Sequence, residues 1–207
     1  MEQFLMLAAA HFLALLSPGP DFFLVTRSAL SAGWRVASGA CLGIALANGV
    51  FILGAFVGLS ALRADSVLFI VIQLGGCAYL LYIGTLFIRH AGSSSLVGID
   101  APRPGAARAS WWQGWRMGLL SGLLNPKNAL FYVSLASMVG NTGPGWKLFY
   151  GAWMFTVVLA WDLLIAVAIG NPRVRRQFSR SLPWLERVSG ALLICLALGV
   201  ILHLLWR

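Results

Sequence analysis

Long apolar segments occupy most of this chain and constrain its fold more than any other feature. The 207 residues contain six such segments, at about 4–26, 38–60, 67–88, 115–139, 148–170 and 187–205. An α-helix of about 20 apolar residues crosses the hydrocarbon core of a bilayer and satisfies its own backbone hydrogen bonds there. Only 10% of the residues are charged, against about a quarter in soluble domains. We therefore predict an all-α integral membrane protein of six transmembrane helices, with residues 1–207 forming a single domain.

Lysine and arginine are distributed unevenly between the two sides of the predicted membrane. If the amino terminus lies outside, eleven basic residues are cytoplasmic and three are external, while Lys127 falls within a span. The cytoplasmic set is Arg27, Arg35, Arg89, Arg103, Arg108, Arg116, Arg173, Arg175, Arg176, Arg180 and Arg187. Because basic loops remain in the cytoplasm, this count predicts that both termini lie outside. The formal charge of +9 then faces the headgroups of a lipid bilayer, and nucleic acid is not an expected partner.

Two proline-containing breaks interrupt the first and fourth apolar segments at corresponding positions. One break is Ser17–Asp21 and the other is Asn125–Lys127, and an offset of 108 residues superimposes them. Repeat 1, at about 1–90, and repeat 2, at about 115–207, are joined by a linker at about 90–114. Each repeat holds three spans, an odd number, so the two repeats must insert in opposite orientations. Paired broken helices in inverted repeats predict a secondary transporter whose substrate site lies near the midplane.

The breaks expose backbone groups that can bind a charged substrate. Proline has no N–H and clashes with the preceding turn, so nearby carbonyls lose their helical partners. Such carbonyls can accept from an ammonium group, and the amino termini of half-helices can bind a carboxylate, which together suit an amino acid. The alternative for each break is a proline kink that binds nothing. The candidate substrate-binding residues at the breaks are Ser17, Pro18, Gly19, Pro20, Asp21, Asn125, Pro126 and Lys127.

Ionisable side chains within the spans add further candidates. A charge at the centre of a membrane helix costs roughly 2.5 to 3.5 kcal/mol, so it is normally retained for a reason. Asp21 and Lys127 flank the two breaks, and we predict an ion pair that is either structural or exchanges partners with the substrate. Asp162 is the candidate proton carrier, and the alternative is a carboxylate that reaches the headgroups from the end of its span. His11 either relays protons or hydrogen-bonds a neighbour.

Neutral polar and small residues within the spans have two interpretations. Asn48, which the offset pairs with Thr156, either lines the cavity or hydrogen-bonds a neighbouring helix. Glycines at four-residue spacing allow close helix packing, either within one chain or in a homodimer. They are Gly39, Gly43, Gly54, Gly58, Gly114, Gly118 and Gly122. The cysteines, which lack metal-ligand spacing, are interpreted as packing residues, and no metal or cofactor is expected. They are Cys41, Cys77 and Cys195.

With these motifs the chain resembles the bacterial lysine exporter and homoserine/threonine resistance transporter family. The resemblance rests on Ser17–Asp21 and Asn125–Lys127, and it extends over nearly the whole chain. The threonine efflux branch is the most similar, through His11, the run Pro18–Phe23, Trp161 and the terminal His203–Leu204. The resemblance implies proton-driven export of a small neutral amino acid, threonine or homoserine, across the inner membrane, and it implies that the two proline motifs face each other in the transport core. In an inner membrane, the charge count above places both termini in the periplasm. The resemblance does not extend to Asp162, so the proton role of that residue is inferred separately.

Two other classes of function compete with amino-acid export. A metal-cation exporter of a related fold would need several oxygen, imidazole or thiolate ligands, and Lys127 beside the break would repel the cation. A membrane-embedded enzyme would need paired acid and base groups. The chain has only six carboxylates, and four of them are expected at termini or in loops: Glu2, Asp65, Asp100 and Glu186. We therefore expect a transporter and no enzymatic activity.

Overall fold

The computed structural model describes residues 2–16, 19–60, 67–92, 110–138 and 142–206. Within these ranges the chain forms eight α-helices. They are α1 (Glu2–Leu16), α2 (Pro20–Ala32), α3 (Trp34–Ser60), α4 (Val67–Arg89), α5 (Trp111–Leu123), α6 (Pro126–Met138), α7 (Pro144–Ala168) and α8 (Pro172–Leu205). The described part of the protein is therefore all-α, as the apolar segments predict.

Four helices, α3, α4, α7 and α8, are each long and apolar enough to cross a bilayer. Helices α1 and α2, bent by 54°, make a fifth candidate if the pair is one span. The predicted fourth span, 115–139, is divided into α5 and α6, which have 13 residues each. Large apolar side chains point outward on the long helices, among them Leu53, Val57 and Leu148, which are 62%, 69% and 71% exposed. Such a surface fits a hydrocarbon solvent.

Both interruptions lie where the proline-containing motifs predict them. Helix α1 ends at Leu16 and α2 begins at Pro20, while Ser17 and Pro18 lie outside the described residues. Helix α5 ends at Leu123, and α6 begins at Pro126. Proline suits the first position of a helix because its missing N–H would have no intrahelical partner there. Each motif thus begins a new half-helix.

Glycines bring α3 and α5 into backbone contact along what we call the glycine seam, formed by Gly39, Gly43, Gly114, Gly118 and Gly122. A Cβ atom added at Gly43 would overlap the carbonyl oxygen of Trp115, and one added at Gly118 would overlap that of Ala40. This part of the glycine pattern therefore serves packing within one chain. Gly54 and Gly58 have no described atom within 4 Å of an added Cβ, and a homodimer through that pair stays a prediction.

Helix α8 corrects two expectations from the sequence. Its 34 residues run from Pro172 to Leu205 without interruption at Pro183. The sequence instead predicts a loop that precedes a span at 187–205. The Asn171 side chain caps this early start by accepting from the Arg173 N–H at 2.9 Å. Glu186, expected in a loop, is instead buried within α8, where its Oε2 accepts from the Gly92 N–H at 2.8 Å.

Candidate transport site

One polar pocket of about 60 Å³ lies where the two helix breaks meet. It brings together seven of the eleven residues that the sequence proposes: His11, Gly19, Asp21, Asn48, Asn125, Lys127 and Asp162. Its remaining lining residues are Ala14, Leu15, Phe22, Ile44, Asn128, Phe131, Tyr132, Val158 and Trp161. A site of this volume holds roughly four to six water-sized spheres, at about 10–15 Å³ for each. Its size therefore suits a small polar molecule.

The Asp21 carboxylate, at the start of α2, is the centre of the hydrogen-bond network at this pocket. It accepts from Ser121 Oγ at 2.6 Å, from Asn128 Nδ2 at 2.8 Å and from Asn125 Nδ2 at 3.3 Å. Asn125 also accepts from the Lys127 N–H through Oδ1 at 3.1 Å and so caps α6. The network thus joins the first break to the second through neutral donors.

Ser121 and Asn128 were not proposed from the sequence. A signal was available, because positions 121, 125 and 128 are separated by four and three residues, the spacing of one helix face. Neutral polar residues are common in membrane helices, however, where they often only join neighbours. The sequence does not show that Asp21 faces Ser121 and Asn128, so it does not indicate that these two residues belong to a site.

Lys127 does not form the predicted ion pair with Asp21 among the described residues. Its ammonium group lies 4.9 Å from the centre of the Phe87 ring, a cation–π contact. A Cβ added to Gly19 would stand 3.5 Å from the same Nζ atom, so the group lies against the first break. The physical reason for the difference is that both Asp21 oxygens already accept from three neutral donors on α5, the second break and α6.

Asp162 lies in the pocket wall and not on the outer surface of the helices. The residue is 7% exposed, and its Oδ2 has no hydrogen-bond partner in the part of the chain that the structure describes. Asn48, also in the wall, is 4% exposed, and its Oδ1 likewise lacks a described partner. A buried polar atom left without a partner costs about 1–3 kcal/mol, so both positions favour a bound polar group.

His11 is buried at the same pocket and contacts the second half of the chain. Its Nε2 lies 3.2 Å from the Tyr132 hydroxyl, while Nδ1 has no partner within the described ranges. The rings of Phe131, Tyr132 and Trp153 surround it, with centroids between 5.7 and 6.3 Å away. The sequence left open whether His11 bonds a neighbour, and the structure supplies that neighbour.

The remaining sequence candidates are not among the described residues that line the pocket. Pro20 is exposed in the first turn of α2, and Pro126 contributes the first residue of α6. Ser17 and Pro18 fall in the gap between described residues. Thr156 is exposed and donates to the Ala152 carbonyl of its own helix at 2.8 Å, so the offset partner of Asn48 faces outward. The pocket is therefore not symmetric between the two halves.

Comparison with known proteins identifies relatives over nearly the whole chain. The model of the family described as LysE type translocator matches residues 12–204. The threonine efflux protein of Escherichia coli strain K12 is 32% identical over 192 residues, which cover 91% of this chain and 92% of that protein. The threonine efflux protein of Salmonella typhimurium strain LT2 is 32% identical over 197 residues, 93% and 94% of the two chains.

A third relative has no assigned role. It is the uncharacterized membrane protein YahN of Escherichia coli strain K12, 29% identical over 188 residues, or 89% of this chain and 82% of that one. No solved structure matches this chain.

Proposed function

Since this chain belongs to the LysE type translocator family, we propose that it exports threonine or a similar small neutral amino acid across the bacterial inner membrane in exchange for protons. The observation that carries the proposal is the single pocket at the two breaks, where carboxylates, amides and one ammonium group converge. The relatives named for threonine efflux, at 32% identity, support the choice of substrate.

The groups of the pocket fit the two charges of an amino acid. The carboxylate of Asp162 and the amide oxygen of Asn48, both lacking described partners, can accept from a substrate ammonium. The Lys127 ammonium, at the beginning of α6, can bind a carboxylate with help from the partial positive charge of the half-helix. The small volume leaves little room for a long side chain, which favours threonine or homoserine.

An arrangement in two inverted repeats would place this pocket on a path through the membrane. The 108-residue offset aligns α1 with α5, α2 with α6 and α3 with α7, each within a few residues, and places α4 within the longer α8. In such repeats, alternating access comes from movement of one half against the other around a central site. Six spans with both termini in the periplasm follow from this arrangement and from the distribution of basic residues.

Asp162 is the proposed proton carrier. A buried carboxylate without a partner is more easily accommodated when it carries a proton or neutralises a bound cation. Exchange of a proton for the substrate ammonium at this oxygen would couple the two fluxes. His11 and Tyr132, on the same pocket, offer a second route for the proton.

The test is transport by the purified protein in liposomes. Labelled threonine, homoserine, lysine and phenylalanine are compared under an imposed proton gradient, and then in substrate counterflow without a gradient. Asp162→Asn should lose the acceleration by the gradient and keep counterflow, while Thr156→Ala, an exposed change on the same helix, should behave as wild type. Gradient-driven export by Asp162→Asn would refute the proton role. Full activity of both Asp21→Asn and Lys127→Ala would refute the site.

A further inference from the structure

Helix α8 is too long to be only a membrane span. Its 34 residues measure about 51 Å at 1.5 Å per residue, against about 30 Å of hydrocarbon. It runs antiparallel to α4, because Gly84 meets Gly190 and Gly92 meets Pro183 and Glu186. The end of α4 at Arg89 is therefore close to the level of Glu186. Residues 172–185, which we call the basic segment, extend beyond that end.

The basic segment is buried on one face. Leu182 is fully buried, and the Phe178 ring stacks on Phe22 with centroids 5.6 Å apart and planes at 23°. Phe22 in turn belongs to the wall of the transport pocket. The segment is thus fixed to the protein, and its opposite face has a defined orientation.

The opposite face is a row of arginines. Arg173, Arg176 and Arg180 are exposed and stand three and four residues apart, on one side of the helix. They line a surface groove together with Pro172, Gln177 and Ser181. The sequence from 172 to 185 contains no Asp or Glu, and Trp184, one turn further on, is 62% exposed. This is a positively charged surface with an exposed tryptophan at the end nearer the apolar part of α8.

We propose that this arginine face binds the phosphate headgroup of an anionic phospholipid. Guanidinium groups match phosphate oxygens with two parallel hydrogen bonds. Arginine clusters beside a membrane helix attract anionic lipid, and exposed tryptophan favours the depth of the headgroups. A lipid is the occupant because the face adjoins the end of the span and Trp184 marks that boundary. The proposal is independent of the transported substrate.

Lipid-dependent stabilisation of the full-length protein tests the proposal. Protein in neutral detergent is titrated with phosphatidylglycerol, or with phosphatidylcholine as the uncharged comparison, and the midpoint of thermal unfolding is followed. Arg173→Gln, Arg176→Gln and Arg180→Gln are combined in one variant. The matched control removes three other exposed arginines: Arg27, Arg35 and Arg116.

The arginine-face variant should bind phosphatidylglycerol at least about tenfold more weakly, since each basic group near a charged surface contributes appreciably. The control triple should stay within about twofold of wild type. Replacing the same three arginines by lysine keeps the charge and should restore part of the affinity. An equal loss in both glutamine variants, or equal stabilisation by phosphatidylcholine, would overturn the proposal. If the glutamine variant is too unstable to measure, the lysine variant tests the proposal instead. Wild-type affinity for phosphatidylglycerol in the lysine variant would exclude bidentate binding by the arginines.

Discussion

Replacement of Gly118 by alanine tests whether the contact between α3 and α5 holds the site in place. An added Cβ would lie 2.8 Å from both the Cα and the carbonyl carbon of Ala40, where ordinary contact begins at 3.4 Å. The two backbones must therefore separate by about 0.6 Å or more, and no flexible side chain can absorb that shift. Overpacking of this kind costs typically 1–3 kcal/mol. We expect the upper part of that range, since Gly114 and Gly122 share the same seam.

The displacement should also reach the transport site. Ser121 lies one turn beyond Gly118 on α5, and its hydroxyl donates to Asp21 at 2.6 Å. A shift of a few tenths of an ångström would lengthen that bond and weaken it. Gly118→Ala should therefore lose stability and apparent substrate affinity together.

Unfolding in increasing mole fractions of sodium dodecyl sulfate, followed by circular dichroism, measures the stability, and liposome transport measures the affinity. Gly54→Ala is the matched control, because nothing described lies within 4 Å of its added Cβ. Equal stability of the two alanine variants would show that the seam is not under steric constraint. Reduced stability with unchanged transport would refute the connection from the seam to Asp21.

Two further changes test single hydrogen bonds of the pocket. Ser121→Ala removes the shortest donor to Asp21. Because hydrogen bonds to charged groups contribute about 1.5–3 kcal/mol, and about 1.4 kcal/mol is a factor of ten, we expect at least about tenfold weaker apparent affinity in transport assays, with Thr156→Ala unchanged. Tyr132→Phe removes the hydroxyl beside His11 Nε2. The free energy of unfolding should fall by about 1–3 kcal/mol, measured in the same detergent titration. Unchanged stability would mean that the histidine finds another hydrogen-bond partner.

The sequence predicts the breaks and the charged residues of the pocket because single residue types determine them. Proline cannot sit inside a regular helix without losing a hydrogen bond, so Pro20 and Pro126 locate the ends of half-helices. A charged side chain in hydrocarbon needs a reason to be there, and Asp21 and Asp162 proved to lie in one pocket. These inferences depend on local chemistry alone.

The hydrogen-bond partners of Asp21 and the length of α8 were harder to predict. Which donors reach Asp21 depends on the relative placement of α2, α5 and α6, and hydropathy contains no such information. Hydropathy places the arginine-rich start of α8 in a loop, because the last apolar segment begins only at about residue 187. Asn171 followed by Pro172 is nevertheless a helix-start signal, with a capping side chain and proline at the first position.

The glycine seam separates a fixed wall of the pocket from an adjustable one. Helix α5 meets α3 backbone to backbone, which leaves the two helices little room to shift against each other. Helix α1 meets α7 through aromatic rings such as Phe4 and Trp153, with centroids 5.4 Å apart, and rings can slide or rotate without backbone overlap. A passage that opens and closes around the pocket would therefore do so by displacement of α1, while the α5 side holds Ser121 and the second break in register.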